Sequence, residues 1–251
     1  MNLIQRAVRD ILTADTAVAF TGAGISTESG IPDFRSRNGL WSRYDIYEYG
    51  HIDSFRRDPA KVWNMLREML SLLEARPNPA HHALAELEDM GLLEAVVTQN
   101  VDSLHQAAGS RRVVEFHGNF GRLMCTGCGR RFDVREVDIT AAPPCCPCGG
   151  VLKPDGVFFG EPIPPEAYRD AVSLAASCDV MLVIGTSAAV APASQLPHLV
   201  KERSGRRQGT VIEINRQPTA LTDSVADYTI QGKAGEVLPR IVEEIKATRQ
   251  R

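Results

Sequence analysis

The sequence predicts an α/β protein with a doubly wound, Rossmann-like parallel sheet and a second, smaller lobe that contains helices and a cysteine-rich segment. Three observations lead to this fold class. Short segments rich in Val and Ile end at small or polar residues and alternate with helical patterns. A glycine-rich turn follows the first of these segments. Two stretches of different composition interrupt the alternation.

The predicted strands cover residues 17–20, 95–98, 180–184 and 211–214. The longest strongly apolar run, at 180–184, is typical of a strand buried on both faces of a sheet. The other three have the same character, and together they favour a parallel sheet with helical connections.

Two helix starts are marked by a capping side chain directly before a proline, at Asp58-Pro59 and at Asn78-Pro79. Apolar residues at helical spacing follow both starts. The second of these helices is predicted to end near Gly91, because glycine commonly terminates a helix.

The two interrupting stretches predict the small lobe. Residues 36–76 are aromatic-rich and then helical, and residues 118–154 are rich in Cys, Pro and Gly. We predict that 36–76 form a helical insertion and 118–154 a zinc-binding module. The Rossmann-like lobe then consists of residues 1–35, 77–117 and 155–251.

The composition is that of an ordinary globular protein, with 251 residues and a net charge of −3. Without a basic excess we expect no nucleic-acid partner, and without a run of about 18 apolar residues we expect no membrane span. An apolar stripe over residues 3–12 lies among early Arg residues, but Asp10 and Asp15 favour a docked surface helix over a transit peptide. No signal peptide is evident, and a cytoplasmic protein is expected.

Four cysteines have the spacing of a zinc site. Cys125-x-x-Cys128 is followed, after 16 residues, by Cys145-x-x-Cys148, so that two tight turns present paired sulfurs. Four thiolates fill a tetrahedral shell and leave no position for a catalytic water. We therefore expect one structural zinc and a reducing compartment.

The second pair has an alternative, because Cys146 stands beside Cys145. Taking Cys146 as the ligand shortens that pair to Cys-x-Cys, and Cys145 is therefore assigned. Cys146 and Cys178 are then spare thiols.

The glycine-rich turn contains Gly22, Ala23 and Gly24, and it can bring backbone N–H groups close to a pyrophosphate. An ordinary dehydrogenase would carry a third glycine where Thr27 stands and an acidic residue about 20 positions later. Residues 39–43 contain no acidic residue. Hydride transfer is therefore disfavoured.

Blocks of sequence along nearly the whole chain resemble the sirtuin family, in particular its bacterial and archaeal members with a structural zinc. They read Gly-Ala-Gly-Ile-Ser at 22–26, Glu-Ser-Gly-Ile-Pro-Asp-Phe-Arg at 28–35, Thr-Gln-Asn-Val-Asp-Ser-Leu-His at 98–105, His-Gly at 117–118, Lys-Pro-Asp-Gly-Val-Phe-Phe-Gly-Glu at 153–161 and Gly-Thr-Ser at 185–187. The resemblance implies an NAD-dependent protein lysine deacetylase or deacylase. NAD would be a consumed co-substrate, and the partners would be acylated-lysine proteins or peptides.

In the implied chemistry, the acyl oxygen attacks the anomeric carbon as nicotinamide leaves. The ribose 2′ hydroxyl then attacks the carbon of the resulting imidate, and water releases free lysine and O-acyl-ADP-ribose. One alternative is transfer of ADP-ribose itself to a protein side chain, which would use the same NAD pocket. Another is a non-catalytic NAD sensor, which the intact His117, Asn100 and Asp102 disfavour.

Several candidate site residues can also be interpreted physically. Gln99, Asn100 and Asp102 directly follow a strand and so lie at a carboxyl end of the sheet, although such residues can merely shape a turn. His117 follows a short strand-like segment; a lone histidine is more often packed or solvated, but its near-neutral pKa suits a general base.

The resemblance implies a role for each residue that matches a family motif. His117 and Asn100 would be catalytic, with His117 as general base on the ribose. NAD contacts would come from Gly22, Ala23, Gly24, Thr27, Ile31, Asp33, Phe34, Arg35, Gln99, Val101, Asp102, Gly185, Thr186, Ser187, Asn215, Arg216, Lys233 and Ala234. The substrate strand would be Val157, Phe158, Phe159, Gly160 and Glu161, which pairs with an extended peptide and reads little of its sequence.

The acyl group accepted is predicted from a departure within the family. Members that remove malonyl and succinyl groups carry a Tyr and, three residues later, an Arg that pair with the acyl carboxylate. Leu66 and Met69 stand at those places here, and Arg67 points about 100° and 200° away from them around the helix. Acetyl and longer uncharged groups should be accepted, and succinyl should be poor.

Overall fold

The computed structural model describes residues 2–33, 39–71, 74–140, 143–202 and 208–250. Its strands are β1 Ala17–Thr21, β2 Ala95–Thr98, β3 Val113–Glu115, β4 Gly118–Cys125, β5 Arg131–Asp133, β6 Leu152–Gly156, β7 Val180–Ile184, β8 Thr210–Asn215 and β9 Tyr228–Gln231. Its α-helices are α1 Leu3–Thr13, α2 Ile46–Tyr49, α3 Ile52–Arg57, α4 Pro59–Ser71, α5 Pro79–Asp89, α6 Leu104–Ala107, α7 Pro165–Ser177, α8 Leu196–Lys201 and α9 Ala234–Arg249.

A parallel sheet of six strands has the order β3-β2-β1-β7-β8-β9. From β1 the chain first builds outward through β2 and β3, and it later returns to the other side of β1 to place β7, β8 and β9. The strand order reverses beside β1, and in doubly wound sheets ligands bind in the crevice at the carboxyl ends of the strands at such a point. The predicted doubly wound α/β fold with a second, smaller lobe is confirmed.

The residues of β1 alternate between the two faces of the sheet. Ala17 and Ala19 pack in a core with α1, α5 and α9, and Val18 and Phe20 pack in another with α7 and α8. Every residue of β1 and of β7 is buried. Burial on both faces is the reason why these strands appear in the sequence as continuous apolar runs.

Helices α4 and α5 begin at the two prolines predicted to start them. The Asn78 side chain accepts the Ala80 N–H at 2.9 Å, and the Asp58 carboxylate accepts the Lys61 N–H at 3.0 Å. The predicted N-terminal surface helix is α1, which buries one apolar face. None of the described helices is long and apolar enough to cross a membrane.

The small lobe combines helices α2 to α4 with an antiparallel sheet of order β5-β4-β6. Apolar side chains from both parts form one core around Trp63, whose Nε1–H donates to the Leu152 carbonyl at 2.9 Å. The helices and the sheet are therefore joined by packing and by a hydrogen bond. The lobe boundaries at 36–76 and 118–154 stay a prediction.

Candidate functional site

A cavity of about 840 Å³ lies over the carboxyl ends of β1, β2, β7 and β8, between the large sheet and the small lobe. The predicted site residues that line it are Gly22, Ala23, Gly24, Asp33, Gln99, Asn100, Val101, His117, Val157, Phe158, Phe159, Gly160, Glu161, Gly185, Thr186, Ser187 and Asn215. The predicted contacts outside this lining are Thr27, Ile31, Asp102, Arg216, Lys233 and Ala234. Phe34 and Arg35 lie outside the described residues.

The glycine-rich turn crosses the loop after β7 at very short range. A Cβ on Gly24 would lie 2.7 Å from the Gly185 Cα, and Gly185 itself has a φ of 60°, which favours glycine. The N–H groups of Gly22 and Gly24 donate to the carbonyls of Ile184 and Gly185, at 3.0 and 2.8 Å. These two N–H groups are therefore committed to the β7 loop, and the predicted pyrophosphate contact of the turn stays a prediction. The glycines form a bare backbone wall that a ligand can approach closely.

The amide side chains after β2 connect the neighbouring strand ends. Gln99 donates its Nε2–H to the Thr186 hydroxyl at 2.8 Å. Asn100 is buried, and its Nδ2 donates to the Gly22 carbonyl at 3.2 Å and to the Ser26 hydroxyl at 3.1 Å. Both residues thus link the loops after β1, β2 and β7 around the crevice.

The His117 ring is oriented by a backbone carbonyl. Its Nδ1 lies 3.1 Å from the Gln99 oxygen. Because a carbonyl can only accept a hydrogen bond, Nδ1 carries the proton and Nε2 keeps its lone pair. Burial lowers the pKa of His117, and the bond to Gln99 opposes this only in part. The imidazole is therefore neutral near pH 7 and able to accept a proton.

Asp102 lies behind the cavity wall. Its carboxylate accepts the Ser26 hydroxyl at 2.7 Å and the Leu104 N–H at 3.0 Å. Burial raises the pKa of Asp102, and these two bonds counteract the increase. The Ser26 hydroxyl also accepts a hydrogen bond from Asn100, which lines the cavity. Asp102 is therefore connected to the cavity lining indirectly, through Ser26. The NAD contact that the family resemblance implies for Asp102 stays a prediction.

Two histidines that the family motifs leave without a catalytic role are packed in the interior beside this network. The His105 Nε2 lies 3.0 Å from the Thr21 hydroxyl oxygen, and the His81 and His105 rings are 4.9 Å apart. Burial lowers the pKa of His81 to about 4 and that of His105 to about 3. Both rings are thus neutral at pH 7. His82 is exposed.

At the end of the cavity beside β8, Asn215 donates its Nδ2–H to the Thr186 carbonyl at 3.0 Å. Lys233 instead forms an ion pair with Glu236 at 2.8 Å. Both Lys233 and Arg216 are exposed. The structure therefore brings Asn215 into the lining and leaves the two basic residues outside it.

Sequence reasoning missed several lining residues, of which Met65 lies on α4, Tyr168 on α7, Trp41 in a short 3-10 helix and the rest in loops. They are Trp41, Met65, Tyr168, Val190, Ala191, Pro192, Gln217, Pro218 and Thr219. Val190 to Pro192 follow β7 and stand in the same cavity as the segment Val157 to Glu161. For residues 217–219 the sequence did offer a signal. They come shortly after a predicted strand, and residues at that end of a parallel sheet often contact a ligand.

The metal site corrects one assignment. The four sulfurs that lie within 4.8 Å of one another belong to Cys125, Cys128, Cys146 and Cys148, not to Cys145. Cys145 forms an antiparallel β-bridge with Val151, so the chain is extended here. In an extended chain, neighbouring side chains point in opposite directions. Cys146 therefore points inward and is buried, whereas Cys145 is exposed.

The four sulfurs fit a zinc ion. The Cys125 and Cys148 sulfurs are 3.5 Å apart and those of Cys128 and Cys146 are 3.8 Å apart. A tetrahedron with Zn–S bonds of about 2.3 Å has edges of about 3.8 Å. Backbone N–H groups of Cys128 and Gly127 point at the Cys125 sulfur and lower its pKa to about 6, which favours the thiolate that a metal requires.

The sheet is doubly wound, glycine backbone lines the crevice where its strand order reverses, and four clustered thiols fit a zinc ion. Together these features are typical of a nucleotide-binding protein with a structural metal site. The model of the Sir2 family matches residues 22–192. The chain is 49% identical to the NAD-dependent protein deacylase of Thermococcus kodakarensis, over 97% of this chain and 96% of the relative. It is 51% identical to that of Pyrococcus furiosus, over 92% and 93%. The chain belongs to the Sir2 family, the sirtuins.

Solved structures agree with this membership. A Sir2 homologue in complex with NAD has a TM-score of 0.91 and 42% identity, with 98% of this chain and 95% of that chain covered. A mutant Sir2 homologue in complex with ADP-ribose has a TM-score of 0.92 and 42% identity, with 100% of this chain and 98% of that chain covered.

Proposed function

We infer that this chain is an NAD-dependent protein lysine deacylase, which transfers the acyl group of lysine to ADP-ribose and releases nicotinamide. The observation that carries this inference is the His117 imidazole, which faces the cavity with its Nδ1 proton committed to Gln99 and its Nε2 able to accept a proton. Relatives that are similar in sequence over nearly the whole chain are named NAD-dependent protein deacylases. The family relation favours this function over transfer of ADP-ribose to a protein side chain.

The residues present fit a dinucleotide. The glycine crossing gives a wall without side chains, and Gln99, Thr186 and Asn215 place amide and hydroxyl groups along the strand ends. NAD supplies the ADP-ribose acceptor and nicotinamide as the leaving group. We propose that Asn100 contacts the nicotinamide ribose and that the Nε2 of His117 takes the proton of a ribose hydroxyl.

The acyl-lysine peptide is proposed to enter between two wall segments, Val157 to Glu161 on one side and Val190 to Pro192 on the other. Both segments line the cavity that holds His117. The four clustered thiols further support a reducing, cytoplasmic location, because such cysteines outside that environment usually form disulfides.

The activity is tested by mass spectrometry of an acetyl-lysine peptide incubated with the protein and NAD. We expect the peptide to lose its acetyl group and O-acetyl-ADP-ribose to appear, both dependent on NAD. An unacetylated peptide of the same sequence is the control. A peptide that keeps its acetyl group and gains the mass of ADP-ribose would establish the transferase alternative instead.

A second expectation concerns the acyl group, and the cavity wall supports it. Leu66 is fully buried and lines the cavity together with Met65 and Met69. Arg67 donates to the Thr140 carbonyl at 2.9 Å, away from this wall. A succinyl carboxylate would find no cationic partner among these three side chains. An unpaired buried charge costs about 3 kcal/mol or more, so kcat/KM should be at least about 100-fold lower than for acetyl.

The comparison uses matched acetyl-, butyryl- and succinyl-peptides. Butyryl has the chain length of succinyl without its charge, so it should still be accepted, which separates charge from size. A kcat/KM for succinyl equal to or above that for butyryl would contradict the apolar wall as the determinant.

A further inference from the structure

Lys153 is a charged residue in an unusual place. It lies on β6 inside the small lobe, and only 3% of it is exposed. An ammonium that is withdrawn from water needs full compensation, since a buried unpaired charge is strongly destabilising. Its surroundings therefore show what the charge is used for.

The Lys153 ammonium has an acceptor for each of its three protons. It donates to the carbonyls of Pro154 at 3.1 Å and Gly156 at 2.8 Å, and it pairs with the Glu161 carboxylate at 3.1 Å. It also lies 4.9 Å from the centre of the Phe158 ring. The Lys153 ammonium thus makes four contacts with residues 154–161, the stretch of chain that ends in the cavity wall.

Glu161 completes the same turn from its other end. The oxygen that pairs with Lys153 also accepts the Phe158 N–H at 2.9 Å, and the Glu161 N–H donates to the Phe158 carbonyl at 3.0 Å. This carboxylate oxygen is therefore committed to the chain itself. From the sequence, Glu161 is expected to contact the peptide, whereas in the structure its side chain shapes the wall that the peptide would meet.

The segment has two other tethers, and neither explains the turn. The Val157 N–H donates to the His117 carbonyl at 2.9 Å, and Phe159 exchanges backbone hydrogen bonds with Gly50 and Ile52 at 2.9 and 3.0 Å. The first bond holds Val157 against the backbone of His117. The other two hold Phe159 against the predicted helical insertion. The turn between Phe158 and Glu161 is closed by their two mutual hydrogen bonds, and the Lys153 ammonium fixes the Glu161 carboxylate that makes one of them.

We propose that Lys153 and Glu161 are positioning residues that set the affinity for the acyl-lysine peptide by fixing the shape of the wall segment. The proposal rests on the deacylase function inferred above. An apolar pair of similar volume would serve the fold equally well, because buried ion pairs seldom add net stability. The pair therefore acts on the peptide and not on NAD, whose proposed contacts lie on the sheet side of the cavity.

The test measures kcat, KM for acetyl-peptide and KM for NAD in Glu161→Gln, Lys153→Met and the double variant Lys153→Met/Glu161→Met. Each single variant should raise the peptide KM about tenfold or more and change the NAD KM less than about twofold. Glu48→Gln breaks the exposed Lys61–Glu48 pair in the same lobe and should leave all three constants unchanged.

The double variant separates positioning from stability. With no charge left unpaired, its thermal stability should return toward that of the unmodified protein, while its peptide KM should stay raised because methionine at position 161 leaves the Phe158 N–H without an acceptor. A peptide KM that recovers together with stability, or an NAD KM that rises as much as the peptide KM, would overturn the proposal. Failure of the unmodified protein to turn over acetyl-peptide would refute the deacylase function instead.

Discussion

Replacing His117 by alanine should reduce O-acetyl-ADP-ribose formation by about 10² to 10⁴, the usual contribution of a general base. Exchange of labelled nicotinamide into NAD, with acetyl-peptide present, should fall less. Nicotinamide departure needs no proton to leave the ribose, whereas the later transfer of the acyl group does. The two rates are compared in the same variant.

The control for this experiment is His82→Ala, which removes an exposed histidine from α5. Burial lowers the pKa of His117, so the base is lost to protonation only as pH falls below its ordinary value of about 6.5. The acid limb of kcat/KM should accordingly lie below that pH. If exchange and product formation fell by the same factor in His117→Ala, the residue would act at or before nicotinamide release and could not be only the base for the later step.

Substitution of Cys146 should abolish zinc binding, and substitution of Cys145 should not. The Cys146 sulfur belongs to the cluster that fits a tetrahedral ion, whereas the Cys145 sulfur lies 3.6 Å from the Pro143 carbonyl. In Cys146→Ala three thiolates remain, and both the fold of the zinc-binding sheet and the deacylase activity should be lost with the metal. Elemental analysis and circular dichroism of the two alanine variants give the answer.

Cys145→Ala is the matched control, because it removes a neighbouring thiol and leaves the cluster intact. Full zinc in Cys146→Ala, with loss in Cys145→Ala, would show that the outward-facing cysteine is the ligand after all. Retention of zinc in a Cys125→Ala/Cys148→Ala double variant would reject the metal site altogether.

Loss of the metal should disturb the cavity, because β4 connects the zinc cluster to the cavity wall. This strand carries Cys125 at its end and begins one residue after His117. Along it, the Phe120 N–H donates to the Val101 carbonyl at 3.0 Å, and Asn119 donates to the Ser103 hydroxyl at 2.7 Å. The zinc cluster and the loop after β2 are thus held by one strand, which is why activity should follow zinc content.

The fold was predictable because burial leaves a strong trace in the sequence. Strands β1 and β7 are buried on both faces and therefore read as unbroken apolar runs, and Asn78 and Asp58 mark helix starts by local hydrogen bonds. Each of these signals depends only on neighbouring residues. The family motifs then placed the strand-end residues in one cavity.

The errors occurred where the path of the backbone decides. Spacing favoured Cys145, but the extended geometry opposite Val151 turns Cys145 outward and its neighbour Cys146 inward. The hydrogen bonds that commit the N–H groups of Gly22 and Gly24 to the β7 loop also depend on where the backbone crosses, which the sequence does not reveal. Residues from irregular loops, such as Val190 to Pro192, have no periodic pattern that a sequence could reveal.

The carbonyl that orients His117 belongs to the main chain of Gln99, and this has a consequence for how the enzyme tolerates mutation. Any residue at position 99 would present the same oxygen, provided that the strand end keeps its course. The position of the proton on the His117 ring is therefore set by the backbone carbonyl of residue 99. It does not depend on which side chain that residue carries. The Gln99 amide, which holds Thr186, can vary without disturbing the proton on the ring.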